Sequence, residues 1–308
     1  MMTDTKKILM IYNQKAGISG SMNDLFQCIE YLSVHGYEVT IFPVVPKKGL
    51  TSEEIIKNTK GRFDQYFICG GDGTLNHAVN GFIDNDIHLP ISYVPVGSTN
   101  DFSKSLYGNK NHTFKDICRF ITHGKQYSFD VGQFNQNYFN YVAGFGVFPS
   151  VSYTTPQNMK NRLGYVAYVL NFLTAIPGGL SYRKHCKITH DGIVDEGDFM
   201  FGLITNSISV AGTQPGVIKK SSLNDGVFEA LLIKADLSPI DVADMITSFN
   251  NDEIHSKGIL TFQMKEATFE FDDEVPWTLD GEDGGNVQKA EIKVDPERIS
   301  VFVPKKAK

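Results

Sequence analysis

An apolar run, Tyr66-Phe67-Ile68-Cys69, leads directly into Gly70-Gly71-Asp72-Gly73-Thr74-Leu75-Asn76. This junction constrains the fold more than any other stretch. The run reads as a buried strand that delivers a glycine-rich turn. Glycines permit positive φ and remove the Cβ atoms that would keep a ligand off the backbone N–H groups. A helix opening near Thr74 adds the positive end of its dipole. A phosphate suits such a turn, and Asp72 stands where a carboxylate can hold Mg2+ or orient a reacting phosphoryl group. A ligand-free turn is the plainer alternative. Three glycines, an acid, a threonine and an asparagine in one turn favour a nucleotide phosphate site. The turn is neither a P-loop, which ends in Gly-Lys-Ser/Thr, nor the Gly-x-Gly-x-x-Gly dinucleotide fingerprint.

The flanking pattern alternates strands and helices. Lys6 to Asn13 reads as a first strand, and Met22, Leu25, Ile29 and Leu32 then recur at helical spacing up to Gly36. Tyr37 to Val45 reads as a second strand, and Thr51 with Glu54 as a capping box. After the glycine turn come a helix to about Gly81, a strand over Ile91 to Val94, and a helix opened by Thr113 and Asp116. Such alternation implies a parallel sheet with ligands at the carboxyl ends of its strands. From Asp130 the style changes. Short strands separated by Asn-rich, Asp-Gly and glycine turns imply a mostly antiparallel β domain, interrupted by one helix over Leu163 to Ile176. Two domains with a cleft between them are expected.

At 308 residues, 41% hydrophobic and 21% charged, the chain is an ordinary globular protein long enough for two domains. Its net charge of −6 argues against a general nucleic-acid binder. Cys28, Cys69, Cys118 and Cys186 are dispersed in apolar contexts, which argues against a zinc or disulfide framework and for a reduced, cytoplasmic setting. The polar N-terminus has no signal-peptide pattern, and no stretch is apolar enough to span a bilayer.

Other turns carry candidate chemistry. After the first strand, Asn13 can hydrogen-bond a nucleotide and Lys15 can neutralise phosphate, beside the flexible Gly17 to Gly20 turn. In Pro95-Val96-Gly97-Ser98-Thr99-Asn100-Asp101, hydroxyl and amide groups flank Gly97, and Asp101 can also cap a helix over Phe102 to Leu106. Leu223-Asn224-Asp225-Gly226 is a turn that can also hold a hard cation. Trp277-Thr278-Leu279-Asp280-Gly281-Glu282 is acidic and glycine-rich; Glu282 or Asp280 can accept the proton of an alcohol during phosphoryl transfer. Among eight histidines, His77 is singled out by its place on the phosphate-site helix.

Together Gly70 to Asn76, Pro95 to Phe102 and Leu279 to Glu282 resemble the bacterial diacylglycerol kinase-like lipid kinases, a family related to diacylglycerol and sphingosine kinases. The resemblance covers nearly the whole chain. It implies an α/β plus all-β architecture. A Rossmann-like three-layer ATP domain would span residues 1–130, with residues from about 296 packing back on it. An antiparallel β-sandwich lipid domain would span 131–295, with the active site in the cleft. It also implies that Asn13, Gly71, Asp72, Gly73, Thr74, Leu75, Asn76 and Ser98 bind ATP, and that Glu282 accepts the lipid hydroxyl's proton. Gly17, Gly70, His77, Gly97, Asn100 and Asp101 complete the expected nucleotide site. Asp72, Asp101 and Asp130 would surround the catalytic Mg2+, and Asp225, Ser222 and the Val227 carbonyl would hold a structural metal. Three departures stand out: Asn13-Gln14-Lys15-Ala16-Gly17 lacks the usual proline, His77 replaces a common Glu, and Asn224 replaces a common acid.

The expected activity is ATP-dependent phosphorylation of a lipid hydroxyl, most simply that of diacylglycerol, with ATP and Mg2+ as cofactors. A lipid substrate without a spanning helix implies adsorption to the inner face of the membrane. Lys160, Arg162, Arg183, Lys184, Lys219, Lys220 and the Lys305 to Lys308 tail are candidate headgroup contacts. A kinase of a nicotinamide dinucleotide or sugar phosphate, and a non-catalytic nucleotide- or lipid-binding regulator, are the competing readings. The sequence is compatible with a homodimer but does not fix the oligomeric state.

Overall fold

The computed structural model of the chain describes residues 5–13, 22–97, 100–108, 112–146, 182–206, 222–238, 240–241, 244 and 256–305. The expected helix over Leu163 to Ile176 lies outside them. The chain divides into two compact units, Met1–Phe129 with Glu297–Lys308, and Asp130–Pro296.

In the first unit four parallel strands lie in the order β2 (Tyr37–Pro43), β1 (Lys6–Tyr12), β3 (Gln65–Gly70), β4 (Ile91–Pro95). Ile8 to Ile11 and all of β3 are buried, as strands covered on both faces must be. Among the described residues five helices accompany them: α1 (Met22–Val34), α2 (Ser52–Thr59), α3 (Asp72–Asp84), α4 (Asp101–Tyr107) and α5 (Phe114–His123). The capping boxes at Thr51/Glu54 and Thr113/Asp116 form as the sequence predicts. The chain's last strand returns to this unit, where Val301 pairs in parallel with Ile91.

The second unit contains β6 (Asn137–Phe139), β7 (Val142–Gly146), β8 (Lys184–His190), β9 (Ile193–Thr205), β10 (Phe228–Lys234), β11 (Ile259–Met264) and β12 (Glu266–Leu279). Half of β5 (Lys125–Phe134) and the greater part of β13 (Glu282–Val303) belong to it as well. β9 pairs antiparallel with β7, β8 and β10, and β12 does so with β7, β8 and β13. The core centres on Trp277, which meets the rings of Phe134, Phe145, Phe269 and Phe271. Leu279 pairs with Glu282, so Asp280-Gly281 is a two-residue hairpin turn with φ of +52° and +88°. Right-handed strand twist favours such turns, and Asp-Gly adopts them readily.

Three expectations need correction. The helix after the glycine turn begins at Asp72, two residues earlier than Thr74. The strands expected over Ala290 to Val294 and Ile299 to Val303 are one strand, β13, that passes through Pro296 without a break. Cys28 and Cys118 form a disulfide between α1 and α5, with Cα atoms 6.2 Å apart. Both lie on the apolar stripes by which these helices pack, so tertiary contact joins cysteines that are 90 residues apart. A cross-link closing so long a loop restricts the unfolded chain. Reduction should therefore lower stability by about 2–4 kcal/mol. Urea unfolding with and without reductant tests this, and coincident midpoints would contradict it.

Candidate active site

The turns after β1, β3 and β4 meet. Asn13 donates its backbone N–H to the Cys69 carbonyl (2.9 Å) and its side-chain amide to Thr74 Oγ1 (2.8 Å). Val96 N–H donates to the Gly70 carbonyl (3.0 Å). Gly70 has no Cβ because the Thr74 side chain occupies that space, within 2.5 Å of where a Cβ would stand. Gly71 and Gly97 touch backbone to backbone: a Cβ on Gly97 would lie 2.7 Å from Gly71 Cα and 2.7 Å from Asn100 Oδ1. Two of the expected phosphate-site glycines thus serve the packing of one turn on the other.

Asp72 ties the turns after β3 and β4 together. Its Oδ2 accepts the Asp101 N–H (2.9 Å), and its Oδ1 lies within reach of the Phe102 N–H (3.4 Å) and the Tyr93 hydroxyl (3.5 Å). An isolated α4 would begin with unpaired N–H groups, and a carboxylate borrowed from α3 supplies the acceptor. Asp101 is therefore the first residue of α4 and is capped by Asp72; it is not itself the cap. Asn100, at φ +50°, accepts the Gly97 N–H on its side-chain oxygen (2.9 Å) and donates back to the Gly97 carbonyl (2.7 Å). Phe102 anchors α4 against Phe129, with ring centroids 4.8 Å apart. Burial first, and the nearby Asp72 charge second, push the Tyr93 hydroxyl well above its ordinary pKa, so it faces Asp72 as a neutral donor.

The first intrahelical bond of α3 runs from Leu75 N–H to the Gly71 carbonyl (3.1 Å). The N–H groups of Asp72, Gly73 and Thr74 precede it, at the positive end of the helix. This is the geometry that can receive a phosphate. It also separates the expected binders. Leu75 is fully buried, so its side chain belongs to the core and not to a ligand. Asn76 is buried, and its side-chain oxygen accepts from Asn80 (3.2 Å). His77 contacts Glu53 on α2. Burial raises the pKa of Glu53, but the His77 contact and further hydrogen bonds outweigh it and leave the carboxyl lowered. Gly17 and Ser98 lie outside the described residues, as does Lys15.

Sequence reasoning missed Lys104, whose ammonium pairs with Asp101 Oδ1 at 2.9 Å one turn along α4. Asp101 is almost wholly buried, so this partner offsets a costly charge. An Asp and a Lys three residues apart in a helix carried the signal.

In the second unit, Asp280 is buried and receives four N–H groups. The Asn140 backbone (2.7 Å) and side chain (3.0 Å) donate to Oδ2; the Tyr141 (3.0 Å) and Val142 (3.1 Å) backbones donate to Oδ1. Of the two carboxylates in this turn, Asp280 is thus a structural anchor. Glu282, the exposed first residue of β13, is the one presented to solvent. Asp130 anchors the loop before β10. Its N–H donates to the Leu223 carbonyl (2.7 Å) and its Oδ2 accepts the Gly226 N–H (2.7 Å). Asn206 donates to the Asp130 carbonyl (2.9 Å). Within that loop Asp225 Oδ1 accepts the Val227 N–H (3.2 Å) and Ser222 bonds to Asn224 (3.1 Å). Among the described residues no three His, Cys, Asp or Glu side chains gather as a metal centre.

Of the basic groups expected at a lipid surface, Arg183 pairs with Asp198 and Asp236, and Lys184 approaches Asp273. Both are thereby partly neutralised. Lys160, Arg162, Lys219, Lys220, Lys306 and Lys308 lie outside the described residues. Among the described residues no helix is long and apolar enough to cross a membrane.

Residues 7–134 match the diacylglycerol kinase catalytic domain. The chain is 29% identical to the diacylglycerol kinase of Bacillus subtilis (strain 168) over 303 residues, covering 97% of each. It is 26% identical to that of Staphylococcus carnosus (strain TM300), covering 98% of this chain and 97% of the other. The crystal structure of a diacylglycerol kinase from Bacillus anthracis str. Sterne shares the fold, with a TM-score of 0.74 at 21% identity over 97% of this chain and 98% of that one. These likenesses define a phosphotransferase with an alcohol group as acceptor. The chain is thus similar to the diacylglycerol kinase-like lipid kinases, whose catalytic domain its residues 7–134 match.

The contact between Gly71 and Gly97 leaves no room for a methyl group. Gly97→Ala should cost about 1–3 kcal/mol and should lower nucleotide affinity more than the stability loss alone explains. Urea unfolding paired with a nucleotide titration checks this. Wild-type affinity in a folded variant would show that the close approach of the two turns is irrelevant to the ligand.

Proposed function

We propose that this lipid kinase uses ATP and acts on diacylglycerol, giving phosphatidic acid. The carrying observation is the meeting of three turns at the amino end of α3, two of them joined by Asp72 and the third by Asn13. The N–H groups there would bind the phosphates, and Asn13, tethered to Thr74, would border the nucleotide. Phosphoryl transfer needs little covalent help from a protein; it needs positioning and charge stabilisation. The turns supply the positioning. Mg2+ supplies charge neutralisation on the phosphoryl oxygens when bound. Asp72 suits it, because each carboxylate oxygen has two lone pairs and the α4 N–H groups use only part of that capacity. Asp225, Ser222 and the Val227 carbonyl would supply an all-oxygen donor set of the kind that hard cations take.

Glu282 is proposed to accept the proton of the lipid hydroxyl. Its neighbour Asp280 is committed to four backbone and side-chain donors, which leaves Glu282 as the carboxylate of this turn for chemistry. A long-chain acceptor implies that the protein works adsorbed at a membrane surface. Diacylglycerol is the acceptor that similarity to the diacylglycerol kinases of Bacillus subtilis and Staphylococcus carnosus favours.

Radiolabelled ATP offered with diacylglycerol, phosphatidylglycerol, a sphingoid base and a nicotinamide dinucleotide in parallel tests the substrate. Label should appear in phosphatidic acid; label in the dinucleotide alone would overturn the lipid reading. Glu282→Gln should reduce kcat by roughly 100-fold or more while ATP binding persists. Near-normal turnover would remove Glu282 from the proton-accepting role.

A further inference from the structure

On the first unit, away from the phosphate turns, the ends of α1 and α5 place two imidazoles side by side. His35 follows α1 and His123 closes α5; both are exposed. Their ring centroids are 6.3 Å apart at an interplanar angle of 79°. Hydrogen bonds engage the Nδ1 edge of each ring. His35 Nδ1 lies 2.7 Å from the Tyr31 carbonyl. A carbonyl can only accept, so Nδ1 carries the hydrogen. His123 Nδ1 lies 2.6 Å from the Thr122 hydroxyl and 3.5 Å from the Tyr31 hydroxyl, and those two hydroxyls bond each other (2.9 Å). On both rings the Nδ1 edge is thus engaged by oxygens.

An imidazole whose Nδ1–H is held by an oxygen, with Nε2 available, is the form in which histidine binds metals. The frame is stiff. Tyr31 stacks on His35 at 4.1 Å, and the Cys28–Cys118 disulfide joins the same two helices. The electrostatics also suit a cation, because both helices present their negative ends here and α1 has no basic residue in its last turn. With metal–nitrogen bonds of about 2.0–2.1 Å, the ring centroids of two histidines sharing one ion lie roughly 5–6 Å apart. The observed 6.3 Å lies close to that range, and both rings are exposed.

We propose that His35 and His123 form a two-histidine surface site for a divalent transition metal of the zinc or copper class, with water completing the coordination. The site is independent of the kinase reaction. Long-range proton–nitrogen NMR of the full chain should show both rings as Nδ1–H tautomers, and added Zn2+ should shift both Nε2 resonances together. His35→Ala and His123→Ala should each weaken Zn2+ binding roughly tenfold or more, with phosphoryl transfer unchanged. Nε2–H tautomers in the wild type, shifts confined to other histidines, or wild-type Zn2+ affinity in both variants would overturn the assignment. The tautomer measurement needs no variant, so it stands even if a substitution disturbs folding.

Discussion

One carboxylate organises the candidate nucleotide site. Asp72 begins α3, yet it accepts the first N–H groups of α4, a helix that starts 29 residues later. That interaction fixes where the turn after β4 lies against the turn after β3. The close approach of Gly71 and Gly97, the closed ring of bonds between Gly97 and Asn100, and the burial of Asp101 against Lys104 all accompany it. The amino end of α3 gains its surroundings from a residue whose own side chain faces the neighbouring helix. A carboxylate with several acceptor sites can serve a helix end and still take part in phosphate chemistry.

The second unit repeats the device. Asp280 sits in a left-handed turn position and gathers four N–H groups from Asn140 to Val142. Asp130 does the same, more sparingly, for the loop that ends at Val227. In each case a buried acid is spent on backbone donors, because an unpaired buried donor or acceptor is costly. The residues next to it, Glu282 or Asp225, are held in place while remaining outside that bonding.

Local signals were legible in the sequence. Apolar runs marked β1, β3 and β4, paired Thr and acid residues marked the starts of α2 and α5, and Asp-Gly marked the β12–β13 hairpin. The meeting of the glycine turns followed from a parallel sheet, whose strands all open their carboxyl ends on one side. What stayed hidden was pairing at a distance. Nothing near Asp72 in the chain announces that it caps α4. Nothing near His77 names Glu53 as its partner. Leu75 looked like part of a binding turn because its neighbours are; only helix geometry shows that it points into the core. The Cys28–Cys118 bond was misjudged because wide spacing was read as separation. The better signal was that each cysteine lies on the apolar stripe of an amphipathic helix.

Amide hydrogen exchange in the wild type and in Asp72→Asn tests the central interaction most directly. The account predicts that the amides of Asp101 and Phe102 lose protection in the variant while those of β1 and β3 keep theirs. Unchanged exchange at Asp101 and Phe102 would mean that the turn after β4 holds its place without Asp72, and the organisation described for this site would be wrong.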